Sequence, residues 1–241
     1  MPWWDLPRVP EPEVMDEADE VEAYASATAQ AYLDRLDDTF VAHALRLGAS
    51  QGSALDIGCG PGQIPLKLAQ RLPGLEILGV DCSRAMLAEA QGNAQRAGLV
   101  ARVRFQLGDG KRLDFPDASF DLVLCNSVLH HFSDPVSALR EIARVAKPAG
   151  AILLRDLRRP SRLAFPLHVR WYGRHYAGKM KQLYVASVCS SYTEKELRAL
   201  VRAAGLERAQ VFRFGRTHIG IERPAGAEGL NPLGRTMPHV R

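Results

Sequence analysis

The chain has 241 residues, 46% of them apolar and 24% charged, a balance that supports one sizeable core and argues against wholesale disorder. A formal net charge of +4 permits acidic partners without requiring nucleic acid. No apolar run approaches bilayer-spanning length, and the start around Trp3, Trp4 and Asp5 lacks the basic-then-apolar pattern of a signal peptide. The four cysteines, Cys59, Cys82, Cys125 and Cys189, form no CxxC pair. A cytoplasmic protein with reduced thiols and no transmembrane segment is therefore expected.

Residues 1–14 hold Pro2, Pro7, Pro10 and Pro12 among acidic residues, which predicts an extended arm. The Ala-rich stretch from Asp16 to about Leu47 predicts one or two helices, and residues 48–53 a break. Short apolar runs follow at 54–57, 75–80, 103–107, 120–125 and 151–154, with segments of helical period between most of them. Met86, Ala90, Ala94 and Ala97 mark one helix face that Gly98 ends. Asp134-Pro135 starts another helix, with Val136, Leu139, Ala143 and Ala146 inward and Pro148 as the stop. Strand, helix, strand in this repetition means βαβ units and a mostly parallel sheet, because parallel neighbours need a crossover. The rhythm fails for about thirty-five residues after Asp156 and resumes at Thr193, where Thr193 and Glu196 have capping-box spacing and Gly205 closes the helix. Residues 211–214 and 218–221 predict a final strand pair, and the Gly- and Pro-bearing tail from Pro224 a mobile end.

The most informative stretch is residues 55–62, Leu-Asp-Ile-Gly-Cys-Gly-Pro-Gly, which leaves the first strand and opens a helix carrying Ile64, Leu68 and Leu72 on one face. Glycine at every second position lets the backbone turn sharply and approach a ligand, and the helix start offers N–H groups to an anion. The plain alternative is a tight strand-to-helix turn that binds nothing, but ligands favour the carboxyl ends of such strands. A dinucleotide fingerprint would place glycine where Gln63 stands. Asp81, about twenty residues on, suits ribose hydroxyls in either ligand class.

Together with Gly-Val-Asp-Cys-Ser at 79–83, Gly-Asp-Gly at 108–110 and the run from Ser119 to Pro135, this loop resembles the class I S-adenosylmethionine-dependent methyltransferases, in particular their branch acting on small molecules. The resemblance covers roughly residues 50–157, with four motifs in order. It implies that Asp56, Gly58, Gly60 and Gly62 surround the amino-acid half of S-adenosylmethionine. It implies that Asp81, beside Cys82, holds the ribose, Asp109 with Gly110 the adenine, and that Asn126 lies near the transferring methyl. Turn chemistry is the bland reading of Asp109 and Asn126 taken singly. The motif Asn/Asp-Pro-Pro-Tyr/Phe of enzymes that methylate amide or adenine nitrogens is replaced here by Asn126-Ser127-Val128, which argues against those targets.

His130 and His131 are the candidate general bases, against the reading that one packs in the loop and the other faces water. Alignment of nucleophile, methyl and leaving sulfur supplies much of the rate in such a reaction. Residues 155–192 are the expected substrate cap. From Arg155 to Lys181 they hold eight Lys or Arg against one acid, Asp156, with Trp171, Tyr172 and Tyr176 interleaved and Tyr184 just beyond. Three readings stand: a pocket for an anionic, partly apolar small molecule clamped by Arg155, Arg170 and Arg174 with Trp171, Tyr172 and Tyr176; contact with RNA or an anionic membrane; or a solvated basic face balanced by residues 11–22, with seven acids and no base. Trp3 and Trp4 are either part of an N-terminal lid or an exposed arm. No His, Cys and carboxylate set has metal-ligand spacing, so no metal is expected.

The fold class expected is α/β, a Rossmann-like doubly wound seven-stranded sheet with the last strand antiparallel, an N-terminal helical segment and a helical cap after strand five. The expected division is an arm at 1–14, the methyltransferase domain at 15–223 with its cap at about 157–192, and a tail at 224–241. The expected function is methyl transfer from S-adenosylmethionine to a small molecule, nucleic acid being disfavoured as partner. Two alternatives are a nicotinamide-dependent oxidoreductase, which Gln63 opposes, and a non-catalytic S-adenosylmethionine-binding partner protein.

Overall fold

The computed structural model describes residues 3–12, 27–206 and 208–226. The start of the expected N-terminal helical segment, before Ala27, and the tail beyond residue 226 lie outside the described residues. The elements in chain order are α1 (Ala27–Arg46), β1 (Gln51–Ile57), α2 (Gln63–Arg71), β2 (Gly74–Asp81), α3 (Arg84–Arg96), β3 (Val103–Leu107) and β4 (Phe120–Asn126). A short 3-10 turn at Leu129–His131 leads to α4 (Pro135–Val145), β5 (Ala146–Leu157), α5 (Phe165–Tyr172), α6 (Gly178–Ser190), α7 (Glu194–Ala203), β6 (Gln210–Phe214) and β7 (His218–Arg223).

All seven strands form one sheet in the order β3-β2-β1-β4-β5-β7-β6. The first five are parallel, and β7 runs antiparallel to both β5 and β6. Chain order reverses between β1 and β4, so a crevice opens at their carboxyl ends, where such sheets bind ligands.

The central strands are apolar on both faces, as parallel strands covered by helices must be. Alternate residues feed two separate cores. Leu55, Val123, Cys125, Ile152 and Leu154 pack with Leu139 and Ile142 of α4 and Leu197 and Val201 of α7. Ala54, Leu122, Leu124 and Leu153 pack on the other face with Phe40 and Val41 of α1 and Leu68 of α2. Fully burying one Leu or Ile contributes about 1.5–3 kcal/mol, so the two layers rather than helix propensity hold these elements in place. Caps set the helix ends locally. Asp134 accepts from the Ser137 N–H ahead of Pro135, and Thr193 and Glu196 close a reciprocal capping box on α7.

A third, smaller core lies above the sheet edge, where Tyr176, Met180, Tyr184 and Val188 pack against Leu33, Leu157, Phe165 and Tyr172. This is the cap after strand five, formed by α5 and α6. The arm has no helix or strand within residues 3–12 and runs across this cap. The Val9 N–H donates to the Cys189 carbonyl and Arg159 Nε to the Leu6 carbonyl. No helix among the described residues is long and apolar enough to cross a membrane. All four cysteines are free.

Candidate functional site

At the reversal point a cavity of about 320 Å³ is lined by Gly58, Cys59, Gly60, Gln63, Asp81, Cys82, Asp109, Gly110 and Asn126, with Leu33, Leu36 and Asp37 of α1. Its floor is the turn from β1 into α2. The N–H groups of Gly58 and Cys59 both donate to the Val80 carbonyl, which ties the turn to β2. Gly58 has φ +69°, and a Cβ there would collide with Val128. Gly60 has φ +50° with nothing within 4 Å of its Cβ position, so its backbone borders open space. The first turn of α2 has no side-chain cap on Gly62, and Gln63 and Ile64 face the cavity with the positive end of the helix.

Asp81 is held by two backbone donors, Gly60 N–H at 2.8 Å on one oxygen and Ser83 N–H at 2.9 Å on the other, which keeps its remaining lone pairs aimed at fixed positions. Asp109 accepts from the Lys111 N–H at 2.9 Å and pairs with its ammonium at 3.0 Å, so it serves its turn while lining the cavity. Asn126 ends β4, and Ser127 after it adopts φ +58°, an uncommon conformation for a residue with a side chain.

Asp56 and Gly62 do not line the cavity. Asp56 lies beneath the turn, fully buried, and neither carboxylate oxygen has a hydrogen-bond partner among the described residues. Burial, followed by the nearby Asp37 and Asp81, pushes its carboxyl up to about 8. Gly62 packs its backbone against Phe105, whose ring would lie 2.7 Å from an added Cβ, so its role is close helix–strand approach. Asp37 went unnoticed in the sequence because α1 precedes every motif. It lines the cavity, and burial pushes its carboxyl up to about 7 against the opposing pull of Lys67 and Arg155.

A second cavity of about 110 Å³ opens beside the first, bounded by Leu157, Tyr172, Tyr176, Met180, Leu183 and Tyr184 of the cap region and by Glu11, His130 and Ser187. Leu33, Leu36, Ser127, His131 and His218 border both cavities, so the two meet at these residues. Tyr172 and Tyr176 are where a substrate wall was expected. Arg170, Trp171 and Arg174 are not: they lie exposed on the outer side of the cap, because the tyrosine face of these segments is the one buried. Arg155 is buried in the wall of the first cavity, not in the second. It donates to Thr39 Oγ1 and the Leu36 carbonyl, both at 2.8 Å, between the rings of Phe40 and Phe214. Burial brings it down to about 10.

His130 and His131 differ sharply. His130 is buried, with Nδ1 2.6 Å from Asp156 Oδ1 and Nε2 3.1 Å from Glu11 Oε1. Its N–H donates to the other Asp156 oxygen at 2.9 Å. Burial disfavours the charge, yet Asp156 and then Glu11 outweigh it and hold the imidazole up to about 9. Both carboxyls are correspondingly held below their usual range despite burial. His131 moves the other way, lowered by burial and by the charge on its neighbour. Its Nδ1 is 3.2 Å from the Pro12 carbonyl, which only accepts, so Nδ1 carries the proton and Nε2 is the bare nitrogen.

Glu11 reaches the site because the arm is pinned. Arg8 donates to the Ser190 carbonyl at 2.6 Å and the His130 carbonyl at 3.0 Å and lies over the Tyr192 ring, and Ser187 donates to Glu11. Glu11, His130 and His131 thus bring ligand-type atoms within 4.8 Å of one another, a set that sequence spacing did not show. The protonated His130 lies between the carboxylates of Asp156 and Glu11. Trp3 and Trp4 are exposed on the surface and line neither cavity.

Residues 55–154 match the family described as "Methyltransferase domain". The Thermus thermophilus protein "Demethylmenaquinone methyltransferase" is 33% identical over 183 residues, covering 70% of this chain and 82% of that relative. The chain belongs to the class I S-adenosylmethionine-dependent methyltransferases. The "Uncharacterized methyltransferase YcgJ" of Bacillus subtilis is 41% identical over 128 residues, 48% of this chain and 49% of the relative, so this methyltransferase spans about half the length of that protein. The solved structure of an S-adenosylmethionine-dependent methyltransferase from Aquifex aeolicus shares the fold, with TM-score 0.62 and 20% identity over 86% of this chain and 98% of that one. Membership decides between the two nucleotide classes that the glycine turn and Asp81 leave open, and the oxidoreductase alternative falls away.

Proposed function

We propose that this methyltransferase methylates a hydroxyl of a small, largely apolar acceptor, with His131 as the proton acceptor. The carrying observation is the place of His131 where the two cavities meet, with Nδ1 against the Pro12 carbonyl and burial and the His130 charge both opposing its protonation, backed by the His130–Asp156 pair.

The larger cavity fits S-adenosylmethionine on grounds of donor chemistry. Three carboxyls, Asp37, Asp81 and Asp109, border it, and the unpartnered Asp56 adds a fourth beneath the turn. Asp81 would accept from the ribose hydroxyls, Asp109 with Gly110 would lie at the adenine, and Asp37 would face the ammonium or sulfonium charge. That cation would favour the ionised form of Asp37, which burial otherwise opposes. The free start of α2 would meet the cofactor carboxylate. Bound there, S-adenosylmethionine supplies a methyl on a positively charged sulfur. Asn126 and Ser127 would stand beside that methyl.

The smaller cavity supports an apolar acceptor rather than the anionic one considered from the charge of the cap. Its cap side is Tyr, Leu and Met, its polar groups gather on the side of Glu11, His130 and His131, and the exposed arginines do not line it. The Thermus relative is named for demethylmenaquinone. His131 takes the hydroxyl proton on Nε2 as the oxygen gains the methyl, and releases it to solvent afterwards. His130, already protonated, keeps its proton and fixes the loop that carries His131.

Release of S-adenosylhomocysteine from a panel of acceptors tests this. Turnover with hydroxylated aromatic or quinol-like molecules is expected, with His131→Ala slowing the chemical step about 10²–10⁴-fold while S-adenosylhomocysteine affinity holds. Turnover confined to amines or to polar anions, or full activity in His131→Ala, would overturn the reading.

A further inference from the structure

We infer that the outer face of the cap is a docking surface for an anionic phospholipid bilayer. Helix α5 is apolar on both sides. Its inner side, with Phe165, His168 and Tyr172, joins the cap core and the acceptor cavity. Its outer side continues a stripe at every fourth residue, Leu163, Leu167 and Trp171, which are 69%, 66% and 56% exposed. A surface helix of a globular protein normally turns charge outward at these positions. Trp3 and Trp4, 68% and 48% exposed, are brought alongside by the Arg162 N–H, which donates to the Trp4 carbonyl at 2.8 Å. Five of the eight large apolar residues most exposed among the described residues therefore belong to the arm's start and this one stretch of cap.

Charge names the occupant. Between Asp156 and Glu194 the sequence contains no acid, while Arg162, Arg170, Arg174 and Lys181 are exposed there. The Arg174 guanidinium lies 4.5 Å from the centre of the Trp171 ring, so cation and indole share one patch. Leucine and tryptophan interleaved with arginine suit the boundary between headgroups and acyl chains, where the apolar groups sink and the cations meet phosphate. RNA would leave Leu163 and Leu167 unexplained. Tyr172, adjacent to Trp171, lines the acceptor cavity, so docking would set that cavity beside the apolar phase.

The test is sedimentation of the full chain with phosphatidylglycerol–phosphatidylcholine vesicles and with phosphatidylcholine vesicles alone, read without cofactor or acceptor, so that its failure is distinct from failure of the proposed reaction. The protein should pellet with the anionic vesicles, release several-fold as salt rises, and bind about tenfold or more weakly as Leu167→Glu/Trp171→Glu. Arg170→Glu/Arg174→Glu should lose the salt-sensitive part. Unchanged thermal stabilisation by S-adenosylhomocysteine in both variants shows that they are folded. Three results would overturn the inference: no pelleting with either vesicle, equal pelleting by the Leu167/Trp171 variant, or a wild-type dimer that this variant converts to monomer.

Discussion

The larger cavity, proposed for the cofactor, and the smaller one, proposed for the acceptor, share a border but are built on different physics. The first is walled by strand ends and by main chain that cannot move without tearing the sheet. Burial pushes Asp37 and the underlying Asp56 toward neutrality, and for Asp56 the neighbouring Asp37 and Asp81 add to it. The second is walled by side chains of a separately packed cap and by the arm. Its ionised groups, Asp156, His130 and Glu11, are clustered and pair with one another. The first holds carboxyls that burial raises, the second carboxylates that a paired imidazolium lowers. Substitutions on the two sides should therefore fail differently.

The largest effect is expected at Asp156→Ala. It leaves the buried His130 without its closest partner, and breaking a buried pair from one side costs about 3–5 kcal/mol. Urea unfolding should show that loss, while S-adenosylhomocysteine affinity, measured by calorimetry in the folded fraction, changes little. An equal loss of nucleotide affinity would show that the two halves are one cooperative site.

Asp81→Ala is the converse. It should weaken S-adenosylhomocysteine binding about tenfold to a hundredfold, from the loss of charge-assisted bonds worth about 1.5–3 kcal/mol. Stability should fall less than in Asp156→Ala, since Asp81 is only partly buried. Wild-type affinity in this variant would remove Asp81 from the cofactor side.

A smaller effect follows from pH. His130 titrates at about 9 in the folded chain against an ordinary 6.5, so its stabilisation is full below about 6.5 and lost as pH rises through about 9. Asp156 and Glu11 are lowered, so theirs is present above the ordinary carboxylate range and lost on acidification. Glu11→Gln should draw the alkaline edge of stability downward, because one of the two anions holding the proton on His130 is gone. Unfolding midpoints measured from neutral to alkaline pH would show the displacement; an unmoved edge would mean that the arm contributes no charge to the site.

The smallest effect is expected from chelation. Because the protonated His130 already pairs with Glu11 and Asp156, dialysis against EDTA should leave turnover unchanged. Stoichiometric metal in the purified protein, together with activity lost in EDTA and restored by a single divalent ion, would show that Glu11, His130 and His131 act as ligands.

What could be read from the chain alone follows the same division. The strand at 103–107 matches β3, and the Asp134 and Thr193 caps start helices where the sequence placed them. Strand β5 is longer than the apolar run at 151–154: it begins at Ala146, expected as the last inward residue of the preceding helix, where it pairs with Phe120, and its pairing with β7 continues through Arg155 and Asp156. Those two charges read as a strand end, yet both are buried and partnered by residues from other elements. Asp56 and Gly62 belong to the motif without lining the cavity, since a motif records what the turn requires as well as what touches a ligand.

Local periodicity and the glycine turn determined the sheet, its helices and the strand-end wall of the larger cavity, because those features depend on neighbours a few residues apart and on backbone angles that only certain residues adopt. Tertiary structure alone decided the smaller cavity and the place of Asp37 in the larger one. Glu11 meets His130 across 119 residues of sequence, and Tyr172 faces inward while Trp171 faces out. No local rule fixes such pairings; they arise only once the cap has packed its tyrosines and the arm has been tied over it.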